Sequence, residues 1–301
     1  MNDIKQDNLI FKIFPSFTHP YISLMRLDRP IGFLLLFYPI SFSLFSQSNY
    51  DFELLKYFIL FFIGSVAMRS AGCIINDILD KKIDEKVKRT QSRPLASSKL
   101  SVLKACITLA LMLMIGLLIL INLNLPSIIL SLTIIPLVVL YPLAKRFFVL
   151  PQLILAMTYN WGCMIGWVTI NSPYNFNNIL ILYLSLIIWT IVYDTIYAVQ
   201  DEVDDIKMNL YSSAILFGSN KLSILNALIV CQYILLLVFG YRMGYGMTFN
   251  LMVIFISLLN MADINLLWKN VAQKSGQYFR RNYYYGFLIL LSIIAGSQLN
   301  V

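Results

Sequence analysis

Nine apolar runs, each close to the roughly 20 residues that a helix needs to cross a bilayer, take up most of this chain. Their limits are about 31–47, 55–76, 102–122, 126–142, 150–171, 178–200, 222–241, 247–268 and 284–299. Apolar residues make up 59% of the 301 positions and charged residues only 13%, a balance found in membrane proteins and not in soluble ones. The expectation is therefore a multi-pass membrane protein with the lipid bilayer as its solvent.

Lysine and arginine set the orientation, because cytoplasmic loops near helix ends collect positive charge. One side carries Lys5, Lys12, Arg26 and Arg29, then Lys81, Lys82, Lys86, Lys88, Arg89, Arg93 and Lys99 after the second run. The same side continues with Lys145 and Arg146, Lys207 and Lys221, and finally Lys269, Lys274, Arg280 and Arg281. Only Lys56 and Arg242 lie near helix ends on the other side. The N-terminus is expected inside and the C-terminus outside. The net charge of +8 then expresses topology and attraction to anionic headgroups, and no nucleic-acid partner follows from it.

Cys73, Cys106, Cys163 and Cys231 show no paired spacing and read as buried free thiols. The first thirty residues carry neither a cleavable signal nor an acid-poor transit sequence, since Asp3 and Asp7 interrupt them. A bacterial inner membrane fits best. No linker rich in Pro, Gly or Ser separates the runs, so 1–301 reads as a single domain with an N-terminal cytoplasmic arm at 1–21. No obligatory protein partner is evident.

Nine of the fifteen carboxylates fall in two short segments, Asn76–Glu85 and Asp194–Asp205, each at the end of an apolar run. Ionised acids there are expensive unless solvated, paired or bound to cations. Residues three or four apart share a helix face, so Asp77, Asp80 and Asp84 are expected to align, with Asn76 beside Asp80. Asp194, Tyr197, Asp201 and Asp204 or Asp205 follow the same spacing. Four apolar runs separate the segments, an even number, which puts both on the cytoplasmic face. Two columns of oxygen ligands suit Mg²⁺, which is held by a few carboxylates together with substrate phosphates, so a diphosphate is the natural ligand. Read singly, either segment is also an ordinary solvated, self-neutralising loop.

Asn76-Asp-x-x-Asp80-x-x-x-Asp84 followed by Thr90-Gln-Ser-Arg93-Pro94-Leu95 resembles the first signature of the UbiA family of intramembrane prenyltransferases. Asp194-Thr-x-Tyr197-Ala-x-x-Asp201-x-x-Asp204-Asp205-x-Lys207, continuing to Gly218, resembles the second. Leu24–Gly32, Tyr141–Arg146 and Leu150-Pro151-Gln152 extend the likeness, which runs from about 22 to 290. Glu202-Val203 and Ser97-Ser98 depart from the pattern without touching the expected metal column. Among family branches the chain is most similar to the bacterial 4-hydroxybenzoate polyprenyltransferases of ubiquinone biosynthesis.

The resemblance implies an all-α bundle of nine transmembrane helices around a central cavity. It implies Mg²⁺-dependent transfer of a polyprenyl group from polyprenyl diphosphate to the 3-position of 4-hydroxybenzoate. On this reading Asp77, Asp80, Asp84, Asp201 and Asp205 are the metal ligands, aided by Asn76 and Asp204 toward the substrate. Arg93, Lys145 and Arg146 are candidate diphosphate contacts, though each also reads as plain loop charge. Arg26 or Arg69 is the candidate for the acceptor carboxylate, Arg69 lying inside the second run and open equally to pairing with a cluster aspartate. Asp194 and Tyr197 are candidates to orient the phenol.

Two alternatives stand beside this one. A UbiA-type enzyme with another acceptor, such as dihydroxynaphthoate, homogentisate or haem, would share all these motifs. A divalent-cation transporter would also place acids on its spans, but nearer the midplane. His19 is the only histidine and reads as a surface residue. Tyr283-Tyr284-Tyr285 reads as an interfacial aromatic belt with a basic flank.

Overall fold

The computed structural model describes residues 9–47, 50–87, 90–170 and 175–298, and among these there are helices and connections but no strand. Lys5, Lys88 and Arg89 of the expected cytoplasmic charge lie outside the described residues. Short helices α1 (Leu9–Ile13) and α2 (His19–Leu24) lead into α3 (Ile31–Leu44) and the long α4 (Phe52–Leu79). A single turn, α5 (Lys81–Asp84), precedes α6 (Val102–Leu120). Then come α7 (Leu125–Thr133), α8 (Ile135–Leu140), α9 (Pro151–Asn160), α10 (Gly162–Ile170) and α11 (Phe176–Ala198). The chain ends with α12 (Glu202–Lys207), α13 (Ser213–Phe217), α14 (Lys221–Arg242), α15 (Met247–Trp268) and α16 (Val271–Gln298).

Six stretches among the described residues are long and apolar enough to cross a membrane: α4, α6, α9 with α10, α11, α13 through α14, and α15. The expectation of nine is thus met by six. At the first and fourth expected runs, α3 and the α7–α8 pair are apolar but shorter. Pro136 stands in the first turn of α8, where its missing N–H and ring end α7 and start a new helix.

The ninth run was expected to begin at 284, after a basic loop. Instead α16 starts at Val271 and runs 28 residues. Its buried residues include Ser275, Tyr278, Asn282, Tyr285 and Ile289, spaced three and four apart. Most of that stripe is polar, so hydropathy hides the helix.

Contacts divide the chain into two compact units, one holding Met1–Leu34 and Ile59–Asn122, the other Leu35–Phe58 and Leu123–Val301. The core of the first unit consists of Leu24, Ile74, Leu95, Leu100 and Ala105, with Tyr21, Met25, Ile78, Leu109 and Met112 packed around them. Leu95 and Leu100 come from the basic loop, so that loop is anchored in the core at two points. Helix α6 turns most of its surface outward, with only 17% of its most apolar window buried, as befits a helix facing lipid.

In the second unit α11 is central, with 72% of its window buried, and it packs on α9, α14 and α16. An apolar surface all round is what a helix surrounded by others requires. The polar side chains inside this apolar zone join helices. Trp189 Nε1 donates to Asn282 Oδ1 at 2.9 Å, Asn160 Nδ2 donates to Thr190 Oγ1 at 2.7 Å, and Ser185 Oγ donates to the Gln232 carbonyl at 2.9 Å. Such bonds average about 0.6 kcal/mol in membranes, so packing dominates and the bonds fix register. Gly286 lies against the Tyr38 ring, whose hydroxyl donates to the Tyr283 carbonyl at 2.9 Å.

Two further expectations need correction. Cys73 and Cys163 are buried, but Cys106 and Cys231 are exposed, the surface of a membrane helix being as apolar as its interior. In the tyrosine triplet only Tyr284 is exposed like a belt residue, while Tyr285 is buried and donates to Asp263 Oδ2 at 3.0 Å.

Candidate functional site

In the first unit α4 ends at Leu79, and Asp80 (φ −91°, ψ 2°) stands at the N-cap of α5 without making a capping bond. The backbone pivots there, so Asp77, Asp80 and Asp84 do not form one straight column. Asp77 and Asp84 are buried, while Asn76 and Asp80 are exposed. Arg93 joins the two buried acids, with Nη1 at 2.8 Å from Asp84 Oδ2 and 3.4 Å from Asp77 Oδ1. Arg26 Nη2 meets the same Asp77 oxygen at 2.6 Å. The core contacts of Leu95 hold Arg93 in place from two residues away.

Arg26 has a backbone that its side chain disfavours, with φ at +57°. It occupies the position after the end of α2 where glycine is usual: Leu27 N donates to the Ile22 carbonyl at 3.0 Å and Arg26 N to the Ser23 carbonyl at 3.3 Å. An arginine kept there against its backbone preference points to work for the guanidinium. Asp28 beside it is buried, and that desolvation raises its carboxyl above the ordinary range despite the charges of Arg29 and Arg26.

Arg69 is half-buried in α4. A Cβ on Gly32 would lie 2.7 Å from Arg69 Nε, so Gly32 leaves the room that the guanidinium fills. Sequence reasoning counted Gly32 in a motif without seeing this use.

The second unit repeats the turn of the first. Helix α11 ends at Ala198, and Asp201 (φ −101°, ψ −2°) is the N-cap of α12, again without a capping bond. Four residues on, Asp205 is buried as Asp84 is, and Lys145 Nζ lies 3.3 Å from its Oδ2. Tyr211 N donates to the Lys145 carbonyl at 2.9 Å, tying the basic segment to the acidic loop. Asn209, with φ +50°, closes α12 as asparagine commonly does. Asp204 is exposed and pairs with Lys207 at 3.8 Å, and Arg146 is also exposed. Glu202 pairs with Lys221 at 2.8 Å.

The ring of Tyr197 lies 4.9 Å from that of Phe279 on α16. Asp194 is half-buried near the end of α11, and its neighbour Thr195 shares a 2.6 Å hydroxyl bond with Ser213, whose N–H donates to Gln152 Oε1 at 2.9 Å. Gln152 itself is buried and was passed over in sequence as part of Leu150-Pro151-Gln152. Asp263 was missed altogether: on α15 it pairs with Arg281 and Tyr285 of α16, so Arg281 is not loop charge. Its signal was a lone acid in an apolar run.

The donor set fits a hard cation. It is all oxygen, and Asp77 Oδ2 is buried with no hydrogen-bond partner among the described residues, an acceptor still open. Among those residues no three acids, histidines or cysteines gather as a ready-made metal cage. Mg²⁺ does not need one, since it is held by one or two carboxylates with waters and substrate phosphates.

The model of the UbiA prenyltransferase family matches residues 36–291. The chain is 45% identical over 220 residues to the mitochondrial 4-hydroxybenzoate polyprenyltransferase of Drosophila pseudoobscura pseudoobscura, 72% of this chain and 54% of that one. It is 34% identical over 275 residues to the 4-hydroxybenzoate octaprenyltransferase of Haemophilus ducreyi, 91% of this chain and 99% of that one. It thus spans about half the length of several mitochondrial relatives it matches and nearly all of a bacterial one. A UbiA homolog from Archaeoglobus fulgidus bound to GPP and Mg²⁺ has the same fold, with a TM-score of 0.64 at 18% identity over 90% of this chain and 99% of that one. By family match, fold and motifs together, the chain belongs to the UbiA prenyltransferase family.

Proposed function

We propose that this protein transfers a polyprenyl group from polyprenyl diphosphate to the 3-position of 4-hydroxybenzoate, with Mg²⁺, in ubiquinone biosynthesis. The observation that carries this is the twice-built turn: an aspartate at a helix pivot and a buried aspartate four residues on, beside a cation, at Asp80/Asp84 with Arg93 and at Asp201/Asp205 with Lys145. The names of the relatives supply the acceptor. Bound Mg²⁺ would neutralise the charge that develops on the departing diphosphate.

Asp77, Asp80 and Asp84 of the first unit, with Asn76 beside them, and Asp201 and Asp205 of the second, with Asp204 beside them, are the Mg²⁺ ligands. Arg93, Arg26, Lys145 and Arg146 bind diphosphate oxygens, the first three already fixed by carboxylates that pre-set their geometry. Arg69, seated in the space above Gly32, takes the acceptor carboxylate. Asp194 and Tyr197 orient the phenol. The protein resides in a bacterial inner membrane with its N-terminus and both acidic segments on the cytoplasmic face, as the lysine and arginine bias supports. Asp263 gives no support to an ion pathway, being engaged by Arg281 and Tyr285.

Membranes containing the protein, given a polyprenyl diphosphate and labelled 4-hydroxybenzoate, should yield lipid-soluble label with Mg²⁺ and none after EDTA. Label entering only a different acceptor would reassign the substrate. Divalent-ion flux in proteoliposomes with no prenyl transfer would end the enzyme reading.

A further inference from the structure

Between Leu9 and Phe17 the chain carries four large exposed apolar side chains, although α1 and α2, of five and six residues, are far too short to cross a bilayer. Leu9, Ile13 and Phe17 are each 74% exposed, and Phe14 is 49% exposed. Leu9 and Ile13, four apart, share one face of α1, while Phe11, two residues from each, points the other way. The ring of Phe11 lies 5.0 Å from that of His19, the first residue of α2, so this is the side that α1 turns to the protein. His19 Nε2 also donates to the Phe14 carbonyl at 2.9 Å, and Thr18 Oγ1 donates to the Pro15 carbonyl at 2.7 Å. These contacts hold α1, the turn at Ser16–Thr18 and α2 as one piece, with Leu9 and Ile13 facing outward.

The depth of this arm is set by α2. Leu24, at its end, packs in the core of the first unit with Ile74 of α4 and Ala105 of α6, and Tyr21 packs beside them. Ile74 is five residues short of the end of α4 at Leu79, and Ala105 is the fourth residue of α6. At about 1.5 Å per residue, Leu24 sits roughly 5–8 Å inside the ends of two membrane-spanning helices. That is the depth at which a helix lying in the headgroup zone buries its apolar face. The exposed charges at this end of the unit are mostly cationic: Lys12 of α1, Lys82, Lys86, Lys99 and Lys104, against Asp80 and Glu85. We propose that residues 9–17 are an interfacial anchor. Leu9, Ile13, Phe14 and Phe17 insert at the boundary between headgroups and acyl chains of the bilayer that the protein spans, and Lys12 reaches anionic headgroup phosphates. The anchor needs only that the chain spans a membrane, and prenyl transfer plays no part in it.

The test places nitroxide labels on the whole chain in proteoliposomes. Cys106→Ala and Cys231→Ala remove the exposed thiols found among the described residues, and Leu9→Cys, Ile13→Cys and Phe17→Cys are then labelled one at a time. Collisions of each label with oxygen, which concentrates among acyl chains, should exceed those with a water-soluble nickel complex several-fold. Adding phosphatidylserine to phosphatidylcholine vesicles should shift the label at position 13 deeper, and Lys12→Glu should cancel that shift. Three label positions, each checked by a thermal melt, keep the outcome readable if one substitution prevents folding. Labels at all three positions that collide more with nickel than with oxygen would overturn the anchor. So would labels shielded from nickel that broaden one another's spectra between copies, since a second copy of the chain would then cover this face. A depth at position 13 unchanged by phosphatidylserine would remove anionic headgroups as the partner of Lys12.

Discussion

Arg26 shows how much a single residue reveals when its backbone and side chain want different things. The left-handed conformation at this position costs a non-glycine residue about 1–2 kcal/mol, and only its guanidinium, bonded to Asp77, gives a reason to keep it. Arg26→Gly and Arg26→Ala should both abolish most transfer activity. The glycine variant should nevertheless unfold later, by about 1 kcal/mol, because it keeps the same lost ion pair but relieves the backbone. Equal thermal midpoints for the two variants would show that the strain is not real.

At the scale of elements, the pairing of α15 with α16 depends on a buried acid. Asp263 accepts from Arg281 and Tyr285, while Tyr278 donates to Asn260 Oδ1 at 2.6 Å and Asn260 Nδ2 donates to Tyr233 at 3.3 Å. Together these bonds join α14, α15 and α16. Removing Arg281 alone leaves a buried carboxylate short of its cation, whereas removing both charges leaves two apolar surfaces. Arg281→Met should destabilise by about 1–2 kcal/mol, discounted because the arginine is half-exposed. Asp263→Leu with Arg281→Met and Tyr285→Phe, which also removes the hydroxyl that Asp263 accepts from, should recover most of that in a thermal melt. If the single variant melts like wild type, solvent is already screening the pair.

At the scale of the whole molecule, the functional reading gives the acids of each segment a part in Mg²⁺ binding. Asp80→Asn and Asp201→Asn should each raise the Mg²⁺ concentration for half-maximal activity by about tenfold or more, about 1.4 kcal/mol of binding. The double variant should show no rescue at any Mg²⁺ concentration. Wild-type Mg²⁺ dependence in either single variant would remove that segment from the metal site.

The chain alone determined that it lives in a bilayer, where its acids fall and which motifs they form, because hydropathy and spacing are properties of order along the chain. It did not show that α4 and α11 stop short and pivot at Asp80 and Asp201, since a helical repeat on paper continues through a turn that backbone geometry breaks. Nor did it show the polar stripe that makes α16 begin at Val271, because buried Ser275, Tyr278 and Asn282 look like loop residues until a partner helix covers them. Tertiary structure also decided that Gly32 makes room for Arg69, that Gln152 meets Ser213, and that Asp263 meets Arg281. Those pairings join residues 18 to 61 positions apart. Only packing brings such residues together, and local sequence carries no trace of distance in space.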